Sequence, residues 1–149
     1  MPPTTLAAGD IVEIGADEGY LYLQYIGRHE VYGDAVLVHP AVAKPGTHVE
    51  ELFRDPYLAF YPATAATRRG LARKIGHLPT SLRKIPIRLR RPGARVGTRV
   101  TTWIIEDGET ETIRTSLTPD EARIPIAVIW NHELLLTRVK SGWRPEREV

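Results

Sequence analysis

The chain contains no cysteine, so disulfides, thiolate metal ligands and a cysteine nucleophile are excluded. No apolar run approaches the about 18 residues that a membrane helix needs. The N-terminal stretch Met-Pro-Pro-Thr-Thr-Leu-Ala-Ala-Gly has neither the basic region nor the apolar core of a secretory signal. By lack of any other address, a cytoplasmic location without membrane association is the expectation. No Gly-rich loop ends in Lys-Ser or Lys-Thr to cradle a nucleotide phosphate, and Gly93-Ala94-Arg95-Val96-Gly97 has turn composition only. Ser81, Ser116 and Ser141 lack a nucleophile-elbow context. His29, His39, His48, His77 and His132 form no i, i+4 pair and no compact signature with carboxylates of the kind that hydrolytic zinc sites use. The sequence therefore offers no catalytic residue by motif, no metal site and no cofactor.

Carboxylates are also missing, but only locally. Residues 57–105 carry eleven basic side chains and no acidic one, whereas residues 1–56 carry three and nine, and residues 106–149 carry six and nine. The formal net charge of +2 hides this asymmetry, which calls for a structural or a binding explanation.

What is present is ordinary globular material. A hydrophobic fraction of 42% beside 26% charge lies well away from the composition of disordered chains. A domain of this length buries about 70% of the surface its unfolded chain exposes. One folded domain over residues 1–149 is expected, with residues 1–8 and 144–149 as flexible ends.

Residues 19–40 carry the densest signal, four of the six tyrosines among them. Ile11-Val12-Glu13-Ile14 alternates as a first strand, residues 20–26 are apolar on both faces and read as a central strand, and Ala35 to Val38 supplies a third. Beyond Pro40, Thr47-His48-Val49-Glu50 fits a capping box for a helix of about two turns. Tyr57 to Tyr61 reads as extended. Residues 62–75 predict a longer helix, with Leu71 and Ile75 at i, i+4 and Gly76 as its stop. Ile85, Ile87 and Leu89 alternate around Pro86 as a short edge strand. Asp107-Gly108 marks a hairpin, and a loop of those two residues would set Trp103 opposite Thr112. Thr118-Pro119-Asp120-Glu121 combines a capping box with proline at the first helical position. Residues 126–130 and 133–139 read as a second hairpin turning at Asn131-His132. Trp103 and Trp130 belong to the core, whereas Trp143 is either packed or exposed near the end. The resulting class is α+β, mainly β: a single domain with a strongly curved antiparallel sheet or SH3-like barrel and two or three short helices.

Two regions are candidate contact surfaces. The link Arg28-His29-Glu30-Val31-Tyr32-Gly33-Asp34 gathers a cation, an imidazole, two carboxylates and a phenol. Arg28, His29, Glu30, Tyr32 and Asp34 could contact a partner, or simply form a loop around a packed Tyr32. His29 beside Glu30, or His132, could act as acid and base in an unrecognised hydrolase, although neighbours in an extended link point apart. The second region is the basic segment 68–99. Arg68, Arg69, Arg73, Lys74, Arg88, Arg90 and Arg91, with Arg83 and Lys84, could meet phosphates of a nucleic acid. They could equally meet an acidic protein, or pair with the acidic thirds of the same chain. No Phe or Tyr is interleaved with them for base stacking.

Gly9-Asp10-Ile11-Val12-Glu13-Ile14 followed by an aromatic strand, Trp103 to Asp107-Gly108-Glu109, Pro125 to Trp130 and a closing Gly142-Trp143 together resemble small bacterial immunity proteins, in particular the immunity protein 26 family. The resemblance implies a mostly β cytoplasmic protein that neutralises a cognate toxin by direct binding and has no catalytic residue of its own. The matching positions are structural in type, so no functional residue carries over, and the basic middle has no counterpart in the family pattern.

Overall fold

The computed structural model describes residues 5–79, 85, 86 and 88–149. The described residues form an α+β fold dominated by strands, arranged as two antiparallel sheets with three short helices. They fall into two compact units, one comprising the chain up to Ile85 together with Ile129–Trp143, the other Pro86–Val128 together with Arg144–Val149.

The first unit is built on β1 (Asp10–Ala16), β2 (Gly19–His29), β3 (Gly33–Val38), β4 (Tyr57–Phe60) and β5 (Arg73–His77), in the order β4-β3-β2-β1-β5. The alternation read from the sequence sets its two faces. Val12, Ile14, Leu21, Leu23, Val36 and Val38 point into one apolar cluster, whereas Ile11 and Tyr22 point into another with Leu52 and Phe53. Both faces of the central strands are thus covered, as two-sided apolar strands require. The first cluster is closed by α1 (Ala63–Arg68) and α3 (His132–Lys140), through Ala63, Ala66, Leu135 and Val139. Trp143 belongs to this packing and is half-buried: its ring lies 5.1 Å from Trp130 and 5.4 Å from Tyr57, with the Arg138 guanidinium 4.3 Å above it.

The second unit holds β6 (Arg88–Val96), β7 (Arg99–Asp107) and β8 (Thr110–Arg114), in that order, and α2 (Pro119–Ala122). The capping box at α2 is formed as the sequence predicts: Glu121 N–H donates to Thr118 Oγ1 and Thr118 N–H to Glu121 Oε1.

Several local expectations are overturned. The helix expected over 62–75 ends at Arg68, because Gly70 adopts φ 76°, a left-handed conformation that stops a helix at little steric cost. The chain then returns as β5, whose Arg73 and Lys74 pair with Glu13 and Asp10. Around residue 47 only a single 3-10 turn, Val49–Glu51, forms, since the Thr47 hydroxyl donates to the Lys44 carbonyl instead of capping a helix. Residues 133–139 are helical, not extended: Asn131 accepts the Leu134 amide at 2.7 Å and so caps α3. Residues 126–130 make isolated bridges at Ile126 and Ile129 and no strand. Residues 93–96 run on within β6, with the turn at Gly97. The β7–β8 hairpin pairs Trp103 with Arg114. Its loop is Gly108-Glu109, which gives glycine the first central position that a type II′ turn demands.

Candidate functional site

The link between β2 and β3 is shaped by His29. Its Nδ1 accepts the amides of Val31 at 3.0 Å and Tyr32 at 3.2 Å, so the neutral ring carries its proton on Nε2. The imidazole packs between Tyr32, at 5.0 Å, and Phe60, at 5.5 Å. His29 is thereby a turn-organising residue, and its Nδ1 is committed.

At the start of β3, Asp34 faces the first turn of α1. Pro62 occupies the N-cap position and has no side chain able to cap. The Thr64 amide instead donates to Asp34 Oδ2 at 2.9 Å, so a residue thirty positions away in sequence satisfies one of the orphan donors of the helix start. This bond joins the β2–β3 link to α1.

Between them lies a depression of about 360 Å³ whose lining includes Arg28, Glu30, Tyr32, Asp34, Thr64 and Arg68. Val31 and Ile129, 71% and 54% exposed, add aliphatic surface to it. Arg28, Glu30 and Arg68 form no ion pair among the described residues. The fold therefore brings the five-residue set Arg28, Glu30, Tyr32, Asp34 and Arg68, drawn from both sequence-predicted regions, into one place, with Arg69 just beyond the end of α1. Val31, Thr64 and Ile129 also line it. Of these, only Val31, an aliphatic residue in a polar link, was open to recognition from the sequence.

Among the described residues, the rest of the basic segment is not part of that lining. Arg73 pairs with Glu13 at 2.8 Å and Lys74 with Asp10 at 3.2 Å. Asp10 is buried, which alone would raise its pKa, but the Ala7 amide, His77 and Lys74 together outweigh burial and hold it below the usual value. In the second unit, Arg91 binds Glu106 at 2.6 Å and Glu111 at 2.8 Å, and Arg88 is exposed opposite Asp107. Arg83 and Lys84 lie outside the described residues.

Arg90 is fully buried, which removes it from any contact surface. Nε donates to the Ile124 carbonyl at 3.0 Å, Nη1 to Glu148 at 2.6 Å, and Nη2 to Ala122 at 3.1 Å and Pro145 at 2.7 Å. Its guanidinium carbon sits 4.1 Å over Trp103. Burial pulls its pKa down to about 10, with Glu148 and Glu146 opposing that fall. Arg90 is the hub on which α2 and the C-terminal residues of the second unit are hung.

No family model, curated protein or solved structure matches this chain. What its site can do is read from its own residues.

Neither histidine considered as an acid–base candidate lines the depression, and each has one ring nitrogen engaged in the fold. His29 spends Nδ1 on the turn, and His132 Nδ1 is hydrogen-bonded to the Tyr61 hydroxyl at 2.8 Å, a phenol that burial pushes up to about 12. Among the described residues no group of three or more His, Asp or Glu is placed to hold a metal ion. A larger depression of about 430 Å³ lies beside Val42 and Val139, but its Lys140 and Asp17 satisfy each other at 3.5 Å and it gathers none of the predicted residues. The lining around Arg28 to Asp34 combines exposed aliphatic side chains with arginine and tyrosine, and the last two are residue types enriched at protein interfaces.

Proposed function

We propose that this chain is a non-enzymatic binding protein of the immunity type, which neutralises a toxin by covering its active surface, and that the β2–β3 link with Arg68 forms the contact face. One observation carries the reading. Two stretches distant in sequence converge on a single depression whose arginines form no ion pair among the described residues, beside two exposed aliphatic side chains. Exposed arginines next to apolar surface speed encounter with a complementary partner and then pack against it. The resemblance to immunity proteins supplies the class of partner; the surface supplies where it would sit.

Nucleic-acid binding through segment 68–99 has less support, because Arg73, Lys74 and Arg91 are paired and Arg90 is buried. A tagged chain incubated with extract of its native cell tests both readings. Recovery of one stoichiometric protein, lost with Val31→Asp or Arg68→Glu and retained with Arg95→Glu on β6, is the expected result. Recovery of nucleic acid with steep salt dependence, or of nothing across several salt conditions, contradicts it.

A further inference from the structure

The floor of the depression identifies the kind of group the partner must present. Asp34 is a carboxylate only 8% exposed, and a buried charge is costly unless it is hydrogen-bonded and paired. The Thr64 amide takes one of its oxygens. No other donor and no cation among the described residues reaches the carboxylate. The second oxygen is not sealed in the interior, since it is absent from the buried polar atoms that lack a partner, and the residue lines the depression. A carboxylate accepts about four hydrogen bonds; among the described residues this one receives a single bond, from Thr64, and the remainder of its capacity is unused.

The exposed charges around it are in a different position. Arg28, Arg68 and Glu30 are solvated in the free protein and need no partner there. Asp34 is the group whose hydration is already largely removed. A cationic donor arriving in the depression would make a charge-assisted bond at a partly desolvated site, with Glu30 beside it to take a further donor. Val31 and Ile129 offer surface for an aliphatic stem. Arg28 and Arg68, on the same lining, would repel an isolated cation but favour one flanked by carboxylates. The volume, about 360 Å³, is at the small end of ligand sites, about 300–1,000 Å³, and suits one long side chain rather than a folded element.

Resting on the binding reading above, we propose that the depression receives an arginine or lysine side chain of the partner protein on Asp34, with acidic neighbours of that residue meeting Arg28 and Arg68. The occupant is thus a mixed-charge loop of acid-cation-acid pattern.

The test uses the ¹⁵N-labelled full chain and two probes, acetyl-Glu-Arg-Glu-amide and acetyl-Glu-Ala-Glu-amide, followed by amide shifts. The arginine peptide is expected to move Gly33, Asp34 and Thr64 saturably and to bind at least about tenfold more tightly than the alanine peptide, the worth of one charge-assisted contact. Asp34→Asn keeps an oxygen for the Thr64 amide and removes the charge, so it should abolish that difference. Equal affinity of the two peptides, absence of shifts at these residues, or an unchanged preference in Asp34→Asn overturns the proposal. The two-peptide comparison on the wild-type chain decides the matter even if the variant fails to fold. If the peptides are not distinguished while Val31→Asp still releases the captured partner, the cation pocket is wrong and the binding face stands. If Val31→Asp and Arg68→Glu both leave capture intact, the binding face is wrong as well.

Discussion

Replacing Arg90 with methionine should unfold the second unit well before the first. The substitution removes the guanidinium from four carbonyls, at Ala122, Ile124, Pro145 and Glu148. Hydrogen bonds to a charged group contribute about 1.5–3 kcal/mol each, and stacking over Trp103 adds about 0.5–2 kcal/mol. Against this stands the cost of holding the charge out of water. The fall of the Arg90 pKa from 12.5 to about 10 corresponds to roughly 3 kcal/mol at 1.36 kcal/mol per unit. Methionine relieves that cost but leaves the carbonyls unpaired, and each buried acceptor stripped of its donor costs about 1–3 kcal/mol, so the net effect is a loss. Amide hydrogen exchange on β6 and β7, compared with β2 and β3, reads the loss in each unit separately. Ending the chain at Arg144 removes two of the acceptors, Pro145 and Glu148, so the truncation should cost more in the wild type than in Arg90→Met, with a coupling of at least about 1 kcal/mol. A loss below about 1 kcal/mol, or strict additivity with the truncation, would refute the hub assignment.

Three smaller perturbations probe the first unit. Asn131→Ala removes the cap of α3 and should lower stability by about 1 kcal/mol in urea denaturation, with Asn131→Ser close to wild type. Leu135→Ala, at a position with no exposure, should cost about 2–5 kcal/mol; a loss under that range would mean α3 does not close the core. His39 accepts the Phe53 amide at 3.1 Å and burial holds its pKa below 6.5. Since its folded pKa is depressed, the stability it contributes is present above pH 6.5 and is lost as pH falls through the lower folded value. His39→Leu should flatten the melting temperature below that pH, and an unchanged slope would assign the dependence elsewhere.

The meander was legible because β1 to β3 sort their own side chains: strict alternation places Val12 and Ile14 opposite Ile11, whatever follows. α3 was not, because Leu134-Leu135-Leu136 is apolar under either period and the deciding residue, Asn131, serves equally as turn or cap. β5 was masked for a different reason. Arg73 and Lys74 look like a solvated helix face, and only pairing with Glu13 and Asp10 on β1 draws them into the sheet. The hairpin at Gly108 erred by two residues in register, a slip that keeps every side chain on its expected face. Within the candidate site, residues 28–34 were visible as a local cluster, but nothing in sequence ties them to Arg68. The Asp34–Thr64 bond does, across a separation that no periodicity spans. Arg90 is the converse case, a member of a basic run whose carbonyl partners lie 32 to 58 residues away, so composition placed it on the surface.

The most direct measurement of the binding face is the affinity of the captured partner for wild type and for three charge or apolar variants, by titration calorimetry at fixed ionic strength. Val31→Asp and Arg68→Glu should each weaken binding by at least about tenfold, or 1.4 kcal/mol, while Arg95→Glu, in the other unit, leaves it unchanged. Undiminished affinity in both of the first two variants, or a loss confined to Arg95→Glu, would contradict the assignment.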